Sequence, residues 1–526
     1  MTDIAAPPPQ QQGKCPIAHH RNAAPPPDVE SAPILTKPVD RRTLLRRGGV
    51  FVGALGTLAM LDEIAWVPER VAWAEDITAL PDVQFNLDPF MPPAQTVDGI
   101  QVAMPPVFTV FLTARLSFRP SRADQIRMEG ALRQIEQSYP YSPSGVFTHV
   151  AYSDNYFNRI PSVIVAAAMP RTLSGNQPAL KRAVPGPTDV AQGNRTLELR
   201  RPEFTVPVRM ESNDILFTIR SDSAANVNDV AAWLSGSNRL RGAAIASPRF
   251  DGAMTVTSAR TMFVQRGLPR SVANQNRLPF NTFVNPNSPM WMGFADQQVD
   301  ASAPAQNVTF VGGAGIKLTN SQPGNYFDNG AIQHLSHVLL DLRQFYLDGK
   351  EPEEDIDHRE NFDERLQYMF ESPSQVAEDP NDPFTDGGGP RNLGTRGAFL
   401  RNTFRGAGYA RQSAQQFGRM GHLSQLHRTG RAPDGRPIHL RIDGPGFDTM
   451  DTTSGRNTAK LQFSGFFPSA DFFAALRRSQ ASVDLLDEFD LEEEDHGLER
   501  FITATRRQNY LIPPRRHRAF PLIEFV

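Results

Sequence analysis

Beyond residue 74, apolar runs of two-residue period and apolar runs of helical period follow one another twice in the same order. In the first half Val107–Ala114 reads as a strand and Arg122–Ser138 as an amphipathic helix, with Ile126, Met128, Ala131, Leu132 and Ile135 at helical spacing. Val146–Tyr152 and Asp214–Ser221 are strand-like, Asn226–Leu234 is helix-like, and Ala253–Phe263 is a further strand. In the second half Asn307–Lys317 reads as a strand and Gly330–Asp348 as a helix. The helix has a stripe of Ile332, Leu335, Val338, Leu339, Leu342 and Phe345. Then come a strand over Lys460–Phe467, a helix over Ala470–Ser479 and a closing strand over Arg507–Ile512.

Such a repeat restricts the chain to an α+β fold, in which two β-α-β-β-like halves make two ferredoxin-like modules with antiparallel sheets and flanking helices. The modules are expected over 75–305 and 306–526. An acidic, Pro/Gly-rich stretch near 349–395 forms an insertion in the second. The net charge of −3 leaves no overall basic excess for nucleic acid. The only cysteine, Cys15, removes intrachain disulfides, thiolate zinc sites and cysteine-attached haem.

Residues 1–74 read as a leader. The first forty are Pro/Gln-rich and lack periodicity. The arginine pairs Arg41-Arg42 and Arg46-Arg47 then precede an apolar run from Gly48 to Leu61, and Ala72-Trp73-Ala74 offers a small-x-small cleavage site. A run of fourteen residues is too short to span a bilayer and suits a signal peptide. The pattern resembles a twin-arginine export signal, which implies a periplasmic or extracellular protein with no stable membrane span after cleavage. The other reading of this run is a basic amphipathic helix of the folded domain.

Three short segments carry candidate chemistry. Met290-Trp291-Met292-Gly293-Phe294-Ala295-Asp296 sets a carboxylate after an apolar Gly-Phe turn. His439 stands in Pro437–Pro445, and Gly455-Arg456-Asn457 follows, with Arg456 17 positions after His439. Imidazole can hold a metal, carboxylate can carry a proton, and guanidinium supplies a fixed positive charge.

Here the chain resembles the dye-decolourising (DyP-type) haem peroxidases. Gly293-Phe294-Ala295-Asp296 is similar to their GxxDG signature. His439-x-Arg441-x-x-x-Pro445 is similar to their proximal-histidine segment, and Gly455-Arg456-Asn457 to their distal arginine. Asn213–Asp222 and Arg507–Pro514 are similar to two of their strands, and the matches span roughly 145–525. Gln297 stands where the family usually has its second glycine, and His439 follows Asp296 by 143 positions.

The resemblance implies haem b, held without covalent attachment, with His439 as iron ligand and Gly293, Phe294 and Arg441 against the cofactor. Asp296 would shuttle the proton and Arg456 would stabilise developing negative charge. The implied reaction reduces hydrogen peroxide while oxidising a small phenolic or dye-like reductant, with Trp233, Trp291, Tyr346, Tyr409 or Tyr510 as electron relays. Self-association to a homo-oligomer is left open. The departure at Gln297 keeps an alternative: a haem- or porphyrin-binding protein on the same fold with little or no turnover. His334 and His337, three apart on the expected 330–348 helix, read as helix-face residues; His422 and His427 lie in or just after Phe417–Leu423, which resembles a family helix that runs close to the haem, and read as structural or supporting ones. The acidic run from Asp487 to Asp495 reads as a solvated helix end.

Overall fold

A computed structural model describes residues 58, 60, 61, 64, 65, 80–97, 100–298, 303–313, 317–347, 399–402, 409–426, 428 and 438–526. The proline-rich start, the arginine pairs, the cleavage candidate, His427 and the 349–395 insertion lie outside these residues.

The first module runs β1 (Phe108–Leu116), α1 (Arg122–Ser138), β2 (Phe147–Tyr152), β3 (Ile215–Ser221), α2 (Ala224–Leu234) and β4 (Met254–Phe263). Its strands lie in the order β2-β3-β1-β4, all antiparallel. After α3 (Leu268–Gln275), β5 (Ala295–Gln298) leads into the second module. This contains β6 (Ala331–Leu340), α4 (Leu342–Leu347), β7 (Phe399–Asn402), α5 (Tyr409–Phe417) and α6 (His422–Leu426). It continues through β8 (Leu440–Asp448), β9 (Thr458–Phe467), α7 (Ala470–Ala481) and β10 (Ile502–Ile512). The order β8-β9-β6-β10 repeats that of the first module, and β7 pairs instead with β5 in parallel. Each half is therefore a ferredoxin-like β-α-β-β-α-β unit. The two sheets join where Leu511 of β10 pairs with Tyr152 of β2.

Local chemistry explains the elements that match expectation. Ser121 accepts from the Asp124 amide while the Asp124 carboxylate accepts from the Ser121 amide, a capping box that starts α1. Met128, Ala131, Leu132 and Ile135 then form its buried stripe, whereas Ile126 is exposed. Ser469 caps α7 through the Asp471 amide.

The sheet curls until its edge strands β4 and β8 approach. A Cβ on Gly444 would lie 2.6 Å from Val264 Cγ2, and one on Gly446 would lie 3.0 Å from the Thr261 carbonyl oxygen. Glycine at these two positions lets the edges close. Phe111, Leu216, Met262, Leu335, Phe466 and Tyr510 pack inside the curl, and a larger apolar core joins the outer face to the helices.

Two expected elements differ. Residues 331–340 form the strand β6, with only Leu342–Leu347 helical. Every β6 residue is buried, so both faces bear side chains chosen for packing and the period-2 signal is lost. Gln333 is tied across the sheet, bonding His149 and Thr218 at 3.2 Å and Ser464 at 3.0 Å. His334 and His337 therefore point to opposite faces rather than sharing a helix face. The expected strand at 307–317 begins with a 3-10 turn over Ala305–Val308. Phe310 and Val311 then bond the carbonyls of Gly330 and Asp328 instead of a ladder, and Gly312 takes φ 77°. Val308 and Phe310 are buried without being paired in a sheet. The acidic run ends a short helix, Val483–Phe489, and continues into a 3-10 turn at Glu493–Asp495.

Candidate active site

Alternation along β8 builds the site. Leu440 and Ile442 pack into the interior of the curled sheet, so Arg441, Asp443 and Pro445 face the other way and line a cavity. Leu461 and Phe463 of β9 and Ser336, Val338 and Leu340 of β6 extend that wall, and α7 covers it with Phe473, Leu476 and Arg477. The enclosed space of the cavity is about 140 Å³, and its mouth opens to solvent.

The loop before β5 closes one side with Trp291, Met292 and Phe294. Gly293 takes φ 82°, a left-handed conformation that a Cβ would strain, and that Cβ would also lie 3.3 Å from the Tyr346 hydroxyl. Tyr346 donates to the Trp291 carbonyl at 2.8 Å, and the Trp291 indole donates to the Gly446 carbonyl at 3.0 Å. The loop is thus tied both to α4 and to the cavity strand β8.

An imidazole reaches the cavity from α6. His422 is its first residue, is 7% exposed, lines the cavity, and has its ring centroid 6.4 Å from that of Phe294. Sequence reasoning had given His422 a supporting place.

His439 is equally buried, at 3% exposure, but it precedes β8, stacks on Phe467 at 6.5 Å and is not among the cavity-lining residues. Arg456 lies exposed in the turn between β8 and β9. Since Leu440 pairs with Phe466 and Asp448 with Thr458, His439 and Arg456 sit at opposite ends of this hairpin. Eight strand steps put them ~26 Å apart, so the structure does not bring them together. Of the expected residues, Phe294 and Arg441 line the cavity, with Gly293 shaping the loop behind it.

Asp296 lies in β5 opposite Leu400, two residues beyond Phe294. Gln297, which stands where the resembled family usually has its second glycine, continues the same strand opposite Arg401.

Buried ion pairs stiffen the far wall. Arg477 bonds Glu499 at 2.8 and 3.0 Å, and Arg507 bonds Asp189 at 2.6 and 2.8 Å. Burial pushes the Glu499 carboxyl up, but Arg477 outweighs it and brings the group down to about 2. Asp189 is likewise held below the usual carboxylate range, as Arg507 overcomes the effect of burial. His334 stacks on Phe473 at 3.3 Å and bonds Asn509 and Ser336 at 2.6 Å. Burial, reinforced by Arg507, pushes its pKa well down, so this imidazole is neutral and engaged. Among the described residues no group of three or more His, Cys, Asp or Glu could hold a metal ion. Among the described residues no helix is long and apolar enough to cross a membrane.

A family described as a family of unknown function, DUF7405, matches residues 106–184 and 186–514. The chain belongs to the DUF7405 family. The match takes in both modules and the cavity strands β6, β8, β9 and β10. No curated protein matches this DUF7405 sequence.

Solved structures similar to the DUF7405 chain include a variant of DypB from Rhodococcus jostii RHA1 in complex with heme. It is 12% identical, covers 81% of this chain and 96% of that one, and has a TM-score of 0.42. A dye-decolorizing peroxidase from Bacteroides thetaiotaomicron is 11% identical over 81% and 97%, with a TM-score of 0.41. A dye-decolorizing protein from V. cholerae is 10% identical over 81% and 96%, also with a TM-score of 0.41.

Proposed function

We propose that this DUF7405 protein is a haem-dependent peroxidase that reduces hydrogen peroxide and oxidises a small phenolic or dye-like molecule. The observation that carries the reading is one cavity lined by the imidazole of His422, the guanidinium of Arg441 and the carboxylate of Asp443 within aromatic walls. That donor set fits haem b: an imidazole nitrogen for the iron, and Trp291, Phe294, Phe463 and Phe473 for the apolar macrocycle. Bound haem would supply the two-electron chemistry with peroxide.

The chain's own residues supply the rest. Arg441 cannot give up its proton, so it places a permanent positive charge where negative charge grows on a peroxide oxygen. Of the two carboxylates that line the cavity, Asp189 is engaged by Arg507, and Asp443 can accept a proton from peroxide and return it to the departing oxygen. Asp296, two residues past Phe294, is the second candidate for that transfer. The aromatic part of the wall lowers the local dielectric and strengthens the effect of both charges. From the resemblance of the leader to a twin-arginine export signal, we propose a periplasmic or extracellular setting for this reaction.

The test is haemin reconstitution followed by peroxide-driven oxidation of a phenolic dye. Arg441→Ala is expected to keep the Soret band and lose about 100- to 1000-fold in kcat. The carboxylate that carries the proton is identified by a loss of about 100-fold or more in Asp443→Ala or in Asp296→Ala. Wild type that binds haemin but shows no turnover would make this a porphyrin-binding protein instead.

A further inference from the structure

Leu58 and Leu61 belong to the apolar run that follows the arginine pairs, yet both are 0% exposed and sit in the main hydrophobic core. Met60, Ile64 and Ala65 pack against the same core, half-buried. Leu58, Met60, Leu61 and Ile64 are helical, and the Ala65 amide donates to the Leu61 carbonyl at 2.8 Å. The i, i+3, i+7 spacing of Leu58, Leu61 and Ala65 puts these side chains on one helix face.

The partner surface includes the end of α3. Asn276, just beyond that helix, donates its side-chain N–H to the Val272 carbonyl at 2.8 Å and to Met60 Sδ at 3.5 Å. α3 turns Leu268, Val272 and Ala273 inward, so its C-terminal end borders both the core and the leader helix.

We propose that the folded domain binds its own apolar leader helix beside α3, with Leu58 and Leu61 as anchors, and so masks it from a lipid surface. A bilayer interface and the protein core compete for the same two leucines, since each removes them from water. Once the domain folds, the core holds the segment in intramolecular contact, where its effective concentration favours the protein over a membrane. This claim is independent of the haem reading.

The experiment uses the full chain with a site-specific protease sequence inserted after Ala74. After cutting, the wild-type leader is expected to co-elute with the domain in gel filtration. Uncut wild type is expected to stay off phosphatidylglycerol vesicles in flotation. The double variant Leu58→Asp/Leu61→Asp is expected to release the leader on cutting, with a several-fold rise in apolar-dye fluorescence. Separation of the wild-type leader on cutting, or flotation of the uncut wild type with vesicles, would overturn the proposal. Because the wild-type arms involve no substitution in the core, they stand even if the double variant misfolds.

Discussion

Glu499, the buried partner of the cavity-lining Arg477, shows how a single residue makes the fold sensitive to pH. Its folded pKa of about 2 lies below the ordinary 4.5 because of Arg477. A carboxylate with a depressed folded pKa stabilises the fold fully above its unfolded pKa, and that contribution disappears as pH falls toward the folded value. Stability should therefore decline between about pH 4.5 and pH 2, and Glu499→Gln should flatten this part of the curve while lowering stability at neutral pH. Urea midpoints measured across that range check it; an unchanged acid slope in the variant would contradict it.

The residue scale also shows what the sequence could convey about the site. Phe294 and Arg441 were legible because an apolar Gly-Phe turn and a short strand motif mark them locally. His422 was not. Which imidazole reaches the cavity depends on where β8 begins and where α6 places its first residue, and neither is set by spacing in the chain. Arg456 looked well placed by its distance from His439 in sequence, but a long hairpin turns that spacing into separation.

At the scale of elements, β6 carries the main lesson. Its apolar residues fit a helical stripe, and only burial on both faces in mid-sheet reveals the strand. Elements with one wet face, such as α1, were readable in their bounds because the solvent side preserved the pattern, although Ile126 of the expected stripe is exposed. The start of β6 is also tightly constrained. A Cβ at Gly330 would lie 2.5 Å from the Ile512 carbonyl oxygen and 3.0 Å from that of Phe327, both backbone atoms that cannot swing away. Gly330→Ala should cost about 1–3 kcal/mol, seen as a lowered denaturant midpoint with an unchanged slope. A midpoint equal to that of wild type would show that the β6–β10 junction relaxes more easily than its geometry suggests.

For the whole molecule, the repeated order β2-β3-β1-β4 and β8-β9-β6-β10 was foreshadowed by the repeated pattern in sequence, whereas the seam between the halves was not. No local signal says that β10 will pair with β2, because that pairing joins strands about 360 residues apart. The seam is reinforced by Tyr152, whose hydroxyl donates to the Arg518 carbonyl at 2.8 Å and accepts from the Phe520 amide at 2.9 Å. With one sheet shared, both halves should unfold together. Tyr152→Phe should lower stability by about 1–2 kcal/mol, shifting far-ultraviolet dichroism and tryptophan fluorescence equally. Separate transitions for the two signals would mean that the modules are thermodynamically independent.

The central claim concerns the imidazole in the cavity, and haemin titration followed at the Soret band tests it most directly. Wild type and His439→Ala should bind haemin with the same ligated spectrum, while His422→Ala should lose it, with imidazole added to the buffer restoring the band. Loss of the band in His439→Ala with retention in His422→Ala would contradict the account.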